Sequence, residues 1–250
     1  MCGRFIITSP PEAFRALFEY DEQPNFPPRY NVAPTQPIAI VRVVGGKRQF
    51  ALVRWGLLPS WVKDPKTFSL LINARGESAA DKPAFRAAMR RRRCLIPVDG
   101  FYEWQNIGGR KRPFFIRAKS GRPFAFAGLW ETWTGPNGEE LETVAIVTTT
   151  ANRALAPIHE RMPVIVPPDA FGLWLNASEV DVHAAAALIV PAPDEFLDAY
   201  EVSTAVNRVA NDSPALIAPA PDAPEAQAEA PAPSKVRRKP KVDERQASLF

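Results

Sequence analysis

Position 2 of the chain is a cysteine directly after the initiator methionine, followed by Gly3 and Arg4. Removal of Met1 leaves the Cys2 thiol beside a free α-amine, and this 1,2-aminothiol has two nucleophiles with reference pKa values of about 8 and about 8.5. Both are partly in reactive form near neutral pH. Such a pair captures aldehydes: the amine condenses to a Schiff base, the thiol closes onto the same carbon, and a five-membered thiazolidine results that resists hydrolysis better than an imine. Without partners an N-terminal cysteine is incidental, so the chemistry depends on what else the chain supplies.

Three segments supply candidates. LLINARGES sets Asn73, Arg75 and Glu77 at alternating positions after an apolar run, a spacing that puts all three on one face of a strand end. VDGFYEW places Glu103 between Tyr102 and Trp104, close after Asp99. A carboxylate lodged among aromatics has its pKa raised by desolvation, the property a general acid needs at neutral pH. The competing expectation for Glu103 is a rim salt bridge to one of Arg90 to Arg93. APIHERMPVIV carries His159 beside Glu160 and Arg161, just before a short apolar strand. His159 suits proton transfer near pH 7, whereas His183, in an alanine-rich helical run, reads as part of a solvated face.

Absences narrow the field. There is no GxxxxGK[ST], no GxGxxG after a strand, no HExxH, no GxSxG and no CxxC, so nucleotide hydrolysis, dinucleotide chemistry and zinc proteolysis lose ground. Cys2 and Cys94 are too few for a disulfide framework or a four-cysteine zinc site and point to the reducing cytosol. No metal or organic cofactor is expected.

These residues need a scaffold, and 250 residues with 46% hydrophobic content are enough to bury a sizeable core. No apolar run approaches the ~20 residues of a membrane span, and MCGRFIITSP lacks the pattern of a signal peptide. RFIIT, PIAIVRVV, QFALVRWGLL, RCLIPV, RPFFIRA, PFAFAGLWE, LETVAIVTTT and MPVIV read as strands. Gly45-Gly46, Gly108-Gly109 and Pro136-Asn137-Gly138 lie between strand-like runs and favour antiparallel hairpins. Helical patterns fit residues 10 to 20, 78 to 92 with Ser78 as N-cap, 168 to 176, and 178 to 190 with Ser178 as cap. The expected fold class is α+β: a single domain over residues 1 to 213 with a curved, barrel-like antiparallel β core flanked by a few helices.

From residue 214 the chain turns rich in alanine and proline among acidic residues, which reads as a disordered linker. A basic run, KVRRKPKVDER, and a terminal QASLF follow. The whole chain nets only +4, so any affinity of the folded part for nucleic acid must come from a local groove rather than bulk charge. Trp55, Trp104, Trp130, Trp133 and Trp174 are expected in the core or filling its rim, Cys94 in the core, and the run Arg90 to Arg93 at a helix end.

MCGRF, RYNVAPTQ, WGLLPSW, LINARGES, FYEW and PIHERMP, in this order, closely resemble the SOS-response-associated peptidase family of abasic-site processing proteins, from Cys2 to about Asn211. The resemblance implies a protein that binds abasic sites in single-stranded DNA, links itself to them through Cys2 as a thiazolidine and removes its own Met1; β-elimination from the Schiff base adds a weak lyase activity as a side expectation. It makes Cys2 the nucleophile, Asn73 a group orienting the α-amine and sugar, Glu103 the acid/base that helps open the sugar ring, and His159 a contact to the deoxyribose oxygen. Arg4, Arg75 and Arg161 would hold phosphates, which position DNA without reading its sequence. Asn31, Pro34 and Trp61 would line the channel, and Thr148 joins this DNA-binding set. Val62 departs from relatives that carry a second tryptophan after Trp61.

The terminal QASLF resembles the bacterial sliding-clamp-binding consensus, with Gln246 at a pocket rim and Leu249 and Phe250 filling an apolar pocket, although Ala247 replaces the usual leucine. A cytoplasmic, nucleoid-associated monomer is expected. Two other classes compete: an N-terminal-nucleophile amidohydrolase in which Cys2 attacks an amide, and a non-catalytic single-strand-binding module.

Overall fold

The structure is a computed structural model and describes residues 2–221. Most of the linker, the basic run and the QASLF residues Gln246, Leu249 and Phe250 lie outside the described residues. In chain order the elements are β1 (Arg4–Ile7), α1 (Pro11–Phe18), β2 (Arg29–Val32), β3 (Pro37–Val44), β4 (Lys47–Trp55), β5 (Asn73–Arg75), α2 (Gly76–Ala79), α3 (Arg86–Arg91), β6 (Arg93–Val98), β7 (Gly100–Ile107), β8 (Arg110–Ala118), β9 (Phe124–Thr134), β10 (Glu140–Thr150), β11 (Arg161–Pro163), β12 (Ile165–Val166), α4 (Phe171–Leu175), α5 (Val182–Ala186) and β13 (Leu197–Glu201). Among the described residues no helix is long and apolar enough to cross a membrane.

Hairpins dominate because glycine pairs stand where the chain must reverse. Gly45 and Gly46 adopt φ of 58° and 78°, and Gly108 and Gly109 adopt 57° and 83°. Two successive positive φ values define the type I′ turn that matches strand twist. They fix the registers Val44↔Lys47 and Ile107↔Arg110. The third hairpin joins β9 to β10 with Glu140 opposite Thr134.

β3, β4, β6, β9 and β10 form a closed ring, as expected of a barrel-like core. Four of its five pairings are antiparallel; closure comes from a parallel pair, with Arg54 and Trp55 of β4 beside Thr143 and Val144 of β10. β10 also carries β5, in parallel, and β11. A second sheet, in the order β13-β8-β7-β1-β2, packs on the ring. The join is aromatic: Phe5 of β1 meets Trp55 at 5.3 Å between ring centroids and Phe126 at 6.4 Å, and Phe101 of β7 meets Phe126 at 5.5 Å.

Alternation along β7 sorts its side chains between two cores. Phe101 joins the barrel core while Tyr102 joins a smaller cluster of Ile6, Phe115, Val202, Val206 and Leu216. Leu216 shows that the folded unit runs past the composition break at 213. Pro214–Ile217 forms a 3-10 turn, Tyr200 donates to the Ile217 carbonyl at 2.8 Å, and the compact unit ends at Ala220.

The helices differ in detail from expectation. The span from 78 to 92 is broken between α2 and α3 because Pro83 has no N–H and crowds the preceding turn. Ser78 is not an N-cap, and Asp181 rather than Ser178 caps α5, accepting from the backbone N–H groups of His183 and Ala184 at 2.7 and 2.8 Å. The arginine run splits. Arg90 is exposed, while Arg93 is buried and its guanidinium donates to the carbonyls of Trp174, Met89, Asn176 and Val180 at 2.6–3.1 Å. Arg93→Ala strips four carbonyls of their donor, and urea unfolding should show a loss of about 3 kcal/mol or more, against about 0.5 or less for Arg90→Ala.

Candidate active site beside the amino-terminal strand

β1 lies between β2 and β7, with Arg4 opposite Tyr102 and Phe5 opposite Phe101. Its far end is pinned by Asp99, whose carboxylate accepts from the Thr8 and Ser9 backbone N–H groups. Cys2, just ahead of the strand, is fully buried. β5 reaches it from the barrel side: pairing beside β10 sets Asn73 next to Ile146, and Asn73 Nδ2 donates to the Cys2 carbonyl at 3.0 Å. Asn73 Oδ1 is buried without a hydrogen-bond partner among the described residues. Burial holds the Cys2 thiol well above its usual pKa, and the negative charge of Glu103 adds to this.

Glu103 follows from the alternation in β7. It shares the barrel-facing side with Phe101 and is 3% exposed. Loss of hydration pushes its carboxyl up to about 7, a shift that the positive charge of the amino terminus opposes. The alternative of a rim salt bridge to Arg90–Arg93 does not occur: of these, Arg92 pairs with Glu131, and Arg93 caps carbonyls.

His159 ends a turn in which its N–H donates to the Leu155 carbonyl at 3.0 Å. Its Nδ1 accepts from the Arg161 backbone N–H at 2.9 Å, which leaves the neutral ring's proton on Nε2. Burial lowers the imidazole pKa, so the ring is neutral near pH 7. Gln105 Nε2 of β7 donates to the Pro157 carbonyl at 2.9 Å and ties this turn to the strand that carries Glu103. Glu103, His159 and Arg4 line one cleft of about 500 Å³, together with Trp104, Lys111 and Asn207. Cys2, Asn73, Glu103 and His159 are thereby assembled around the start of β1. Among the described residues no His, Cys, Asp and Glu cluster is arranged to hold a metal ion.

The expected DNA-contacting residues divide. Trp61 is 57% exposed, braced edge-on by Phe68 on a small cluster of Leu58, Val62 and Trp133. Arg75 is exposed at the end of β5, and Pro34 is half-buried in a tight turn whose Thr35 N–H donates to the Trp55 carbonyl. Asn31 departs from the expected channel lining. It is buried, its Nδ2 donates to the carbonyls of Val206, Arg208 and Asn211, and its Oδ1 accepts from Arg4 at 2.7 Å. Thr148 is also buried; its Oγ1 accepts from Arg161 at 3.2 Å, so the side chain braces the site from within. Arg161 makes a two-pronged pair with Glu77 at 2.6 and 2.9 Å, and Arg161 in turn holds the Glu77 carboxyl below its usual range.

Lys111 and Asn207 as cleft walls escape a motif-based reading, whereas Trp104 lies within FYEW. The hairpin arithmetic contains part of the signal, since a two-residue turn at Gly108-Gly109 sets Lys111 opposite Asn106, close to Glu103.

A closed barrel thus buries Cys2, the second residue of the chain, close to a carboxyl of raised pKa and to a neutral imidazole, and this marks the start of the chain as the candidate site. The model of the SOS response associated peptidase family matches residues 1–209, and the chain belongs to that family. Its relatives include the abasic site processing protein YoqW of Bacillus subtilis, 40% identical over 87% of this chain and 99% of its own length, and YedK of Escherichia coli, 34% identical over 88% and 100%. HMCES of Rattus norvegicus, also named an abasic site processing protein, is 31% identical over 88% of this chain and 76% of its own. A crystal structure of a protein from Bacteroides thetaiotaomicron superposes with a TM-score of 0.76 at 27% identity, covering 88% of this chain and all of that one.

The raised pKa of Glu103 carries a stability cost with a definite sign. Between the unfolded value of about 4.3 and the folded value of about 7 the native state holds a proton that the unfolded chain has lost, so stability falls as pH rises through that window. Glu103→Gln removes this penalty. Thermal unfolding should show the variant gaining on the native protein from about pH 5 to about pH 8, approaching roughly 3 kcal/mol at the upper end.

Proposed function

We propose that this protein binds abasic sites in single-stranded DNA and joins them covalently through Cys2 as a thiazolidine, after Met1 has been removed. One observation carries the reading: the buried Cys2, held by Asn73, stands beside a carboxyl whose pKa is raised to about 7, at a cleft that also holds a neutral histidine. The names of the relatives support the lesion as substrate.

The chemistry runs in two steps. A ring-opened abasic sugar presents an aldehyde; the Cys2 amine attacks its carbon, and the carbinolamine loses water as the Glu103 acid donates a proton to the departing hydroxyl. The thiol then adds across the C=N bond: sulfur bonds to carbon, the S–H proton passes to nitrogen by way of Glu103, and one water has left overall. The thiol, kept protonated by burial, suits this order of amine first and sulfur second. The His159 Nε2–H is placed to donate to the sugar oxygen as the ring opens, and the unpartnered Asn73 Oδ1 to accept from the freed amine. Diversion of the Schiff base by β-elimination would give a weak lyase activity, and we assign self-removal of Met1 to the same acid/base groups.

Arg75 and Trp61 supply the exposed phosphate and stacking contacts. We assign QASLF to the sliding clamp through Gln246, Leu249 and Phe250. Fluorescence polarisation of a peptide spanning residues 240–250 should show clamp binding that a Leu249→Ala, Phe250→Ala peptide loses.

The test of the main proposal is a denaturing gel of the protein with a single-stranded oligonucleotide carrying one abasic site. A slow band is expected that needs both lesion and Cys2 and forms about 100-fold more slowly in Glu103→Gln. Absence of the band from protein whose Met1 is shown by mass spectrometry to be gone would overturn it and favour an amidohydrolase.

A further inference from the structure

Two of the arginines that the family resemblance assigns to phosphates are already engaged inside the protein. The Arg161 guanidinium is neutralised by Glu77 and also donates to Thr148. Arg4 donates to Asn31 Oδ1 at 2.7 Å and to the carbonyls of Val206 and Asn207 at 2.8 and 3.3 Å. A polyanion entering the cleft therefore gains most from a cation that is neither neutralised by a carboxylate nor already donating to acceptors of the protein.

Lys111 meets that requirement. It lines the same cleft as Glu103 and His159, is exposed, and makes no ion pair among the described residues. Its neighbour on β8, Arg112, is paired with Glu201 instead. The position of Lys111 is set by backbone: the type I′ turn at Gly108-Gly109 places it opposite Asn106, which lines the cleft as well. An ammonium and a side-chain amide across a strand pair offer the donors that a phosphodiester oxygen accepts. Trp104, two residues before Asn106 on β7, also lines the cleft and is held by its indole N–H bond to Asn207 Oδ1 at 2.7 Å.

We propose that the β7–β8 hairpin forms a phosphate-binding site, made by Lys111 with Asn106, that anchors a backbone phosphate of the single strand next to the lesion. This rests on the reading that abasic single-stranded DNA occupies the cleft. The contact reads no sequence and contributes through charge, so it must appear in the salt dependence of binding.

The experiment measures fluorescence anisotropy of a single strand containing tetrahydrofuran, an abasic analogue with no aldehyde, over a series of KCl concentrations. Lys111→Gln should weaken binding about three- to tenfold at low salt and reduce the slope of log K against log salt by about 0.7, the value for one single-strand phosphate contact. Lys111→Arg should restore both, and Lys119→Gln, an exposed lysine outside the cleft, should match the native protein. Native affinity and slope in Lys111→Gln, with native protein that still crosslinks abasic DNA, would overturn the hairpin site alone. Native protein that neither binds this strand nor crosslinks abasic DNA would overturn the functional reading and the hairpin site together.

Discussion

Because side chains alternate along β7, Glu103 must lie on the face that Phe101 presents to the barrel core, and an ionised carboxylate there gives up hydration that apolar neighbours do not return. Its proton affinity rises to about 7 in consequence. The group is then divided between acid and base near neutral pH, where proton transfer in both directions is most effective. The same burial pushes the Cys2 thiol upward and the His159 imidazole downward, so both are neutral at that pH. One desolvated pocket thus sets three protonation states, and the ionised Glu103 within it weakens the fold that makes it.

Geometry comes from β10. On its edges it carries β9 and β4, which close the ring, and β5 and β11, which deliver Asn73 and Arg161. Asn73 reaches the Cys2 carbonyl, and the Arg161 backbone N–H orients His159. From the opposite side β1 is held by its ladders to β2 and β7, by Asp99 and by the Arg4–Asn31 bond. The start of the chain is therefore gripped by both sheets, and side chains positioned by strands are held more closely than side chains on loops.

Strong local signals made the core of this fold legible. Runs of β-branched residues and paired glycines identify the long strands and hairpins, and a carboxylate between aromatics points to a shifted acid at Glu103. Three things were not legible. β2, β5 and β13 are three to five residues long and take their strand character from neighbours. Closure through a parallel β4–β10 pair joins segments about ninety residues apart and leaves no local mark. The sequence also does not separate a residue that would meet DNA from one that braces the site: Asn31, within RYNVAPTQ, and Thr148, in the run LETVAIVTTT, have side chains that are buried and bonded to the protein. Partner identity decides such cases, and it depends on the three-dimensional arrangement.

The fold holds Glu103 protonated at a pH where an ordinary carboxylate is ionised, and the site rests on that shift. Its most direct test is a carbon-13 NMR titration of the Glu103 side-chain carboxyl in the native protein, with Glu103→Gln to assign the resonance. A midpoint near 7 is expected. A midpoint near the ordinary value of about 4.3 would contradict it.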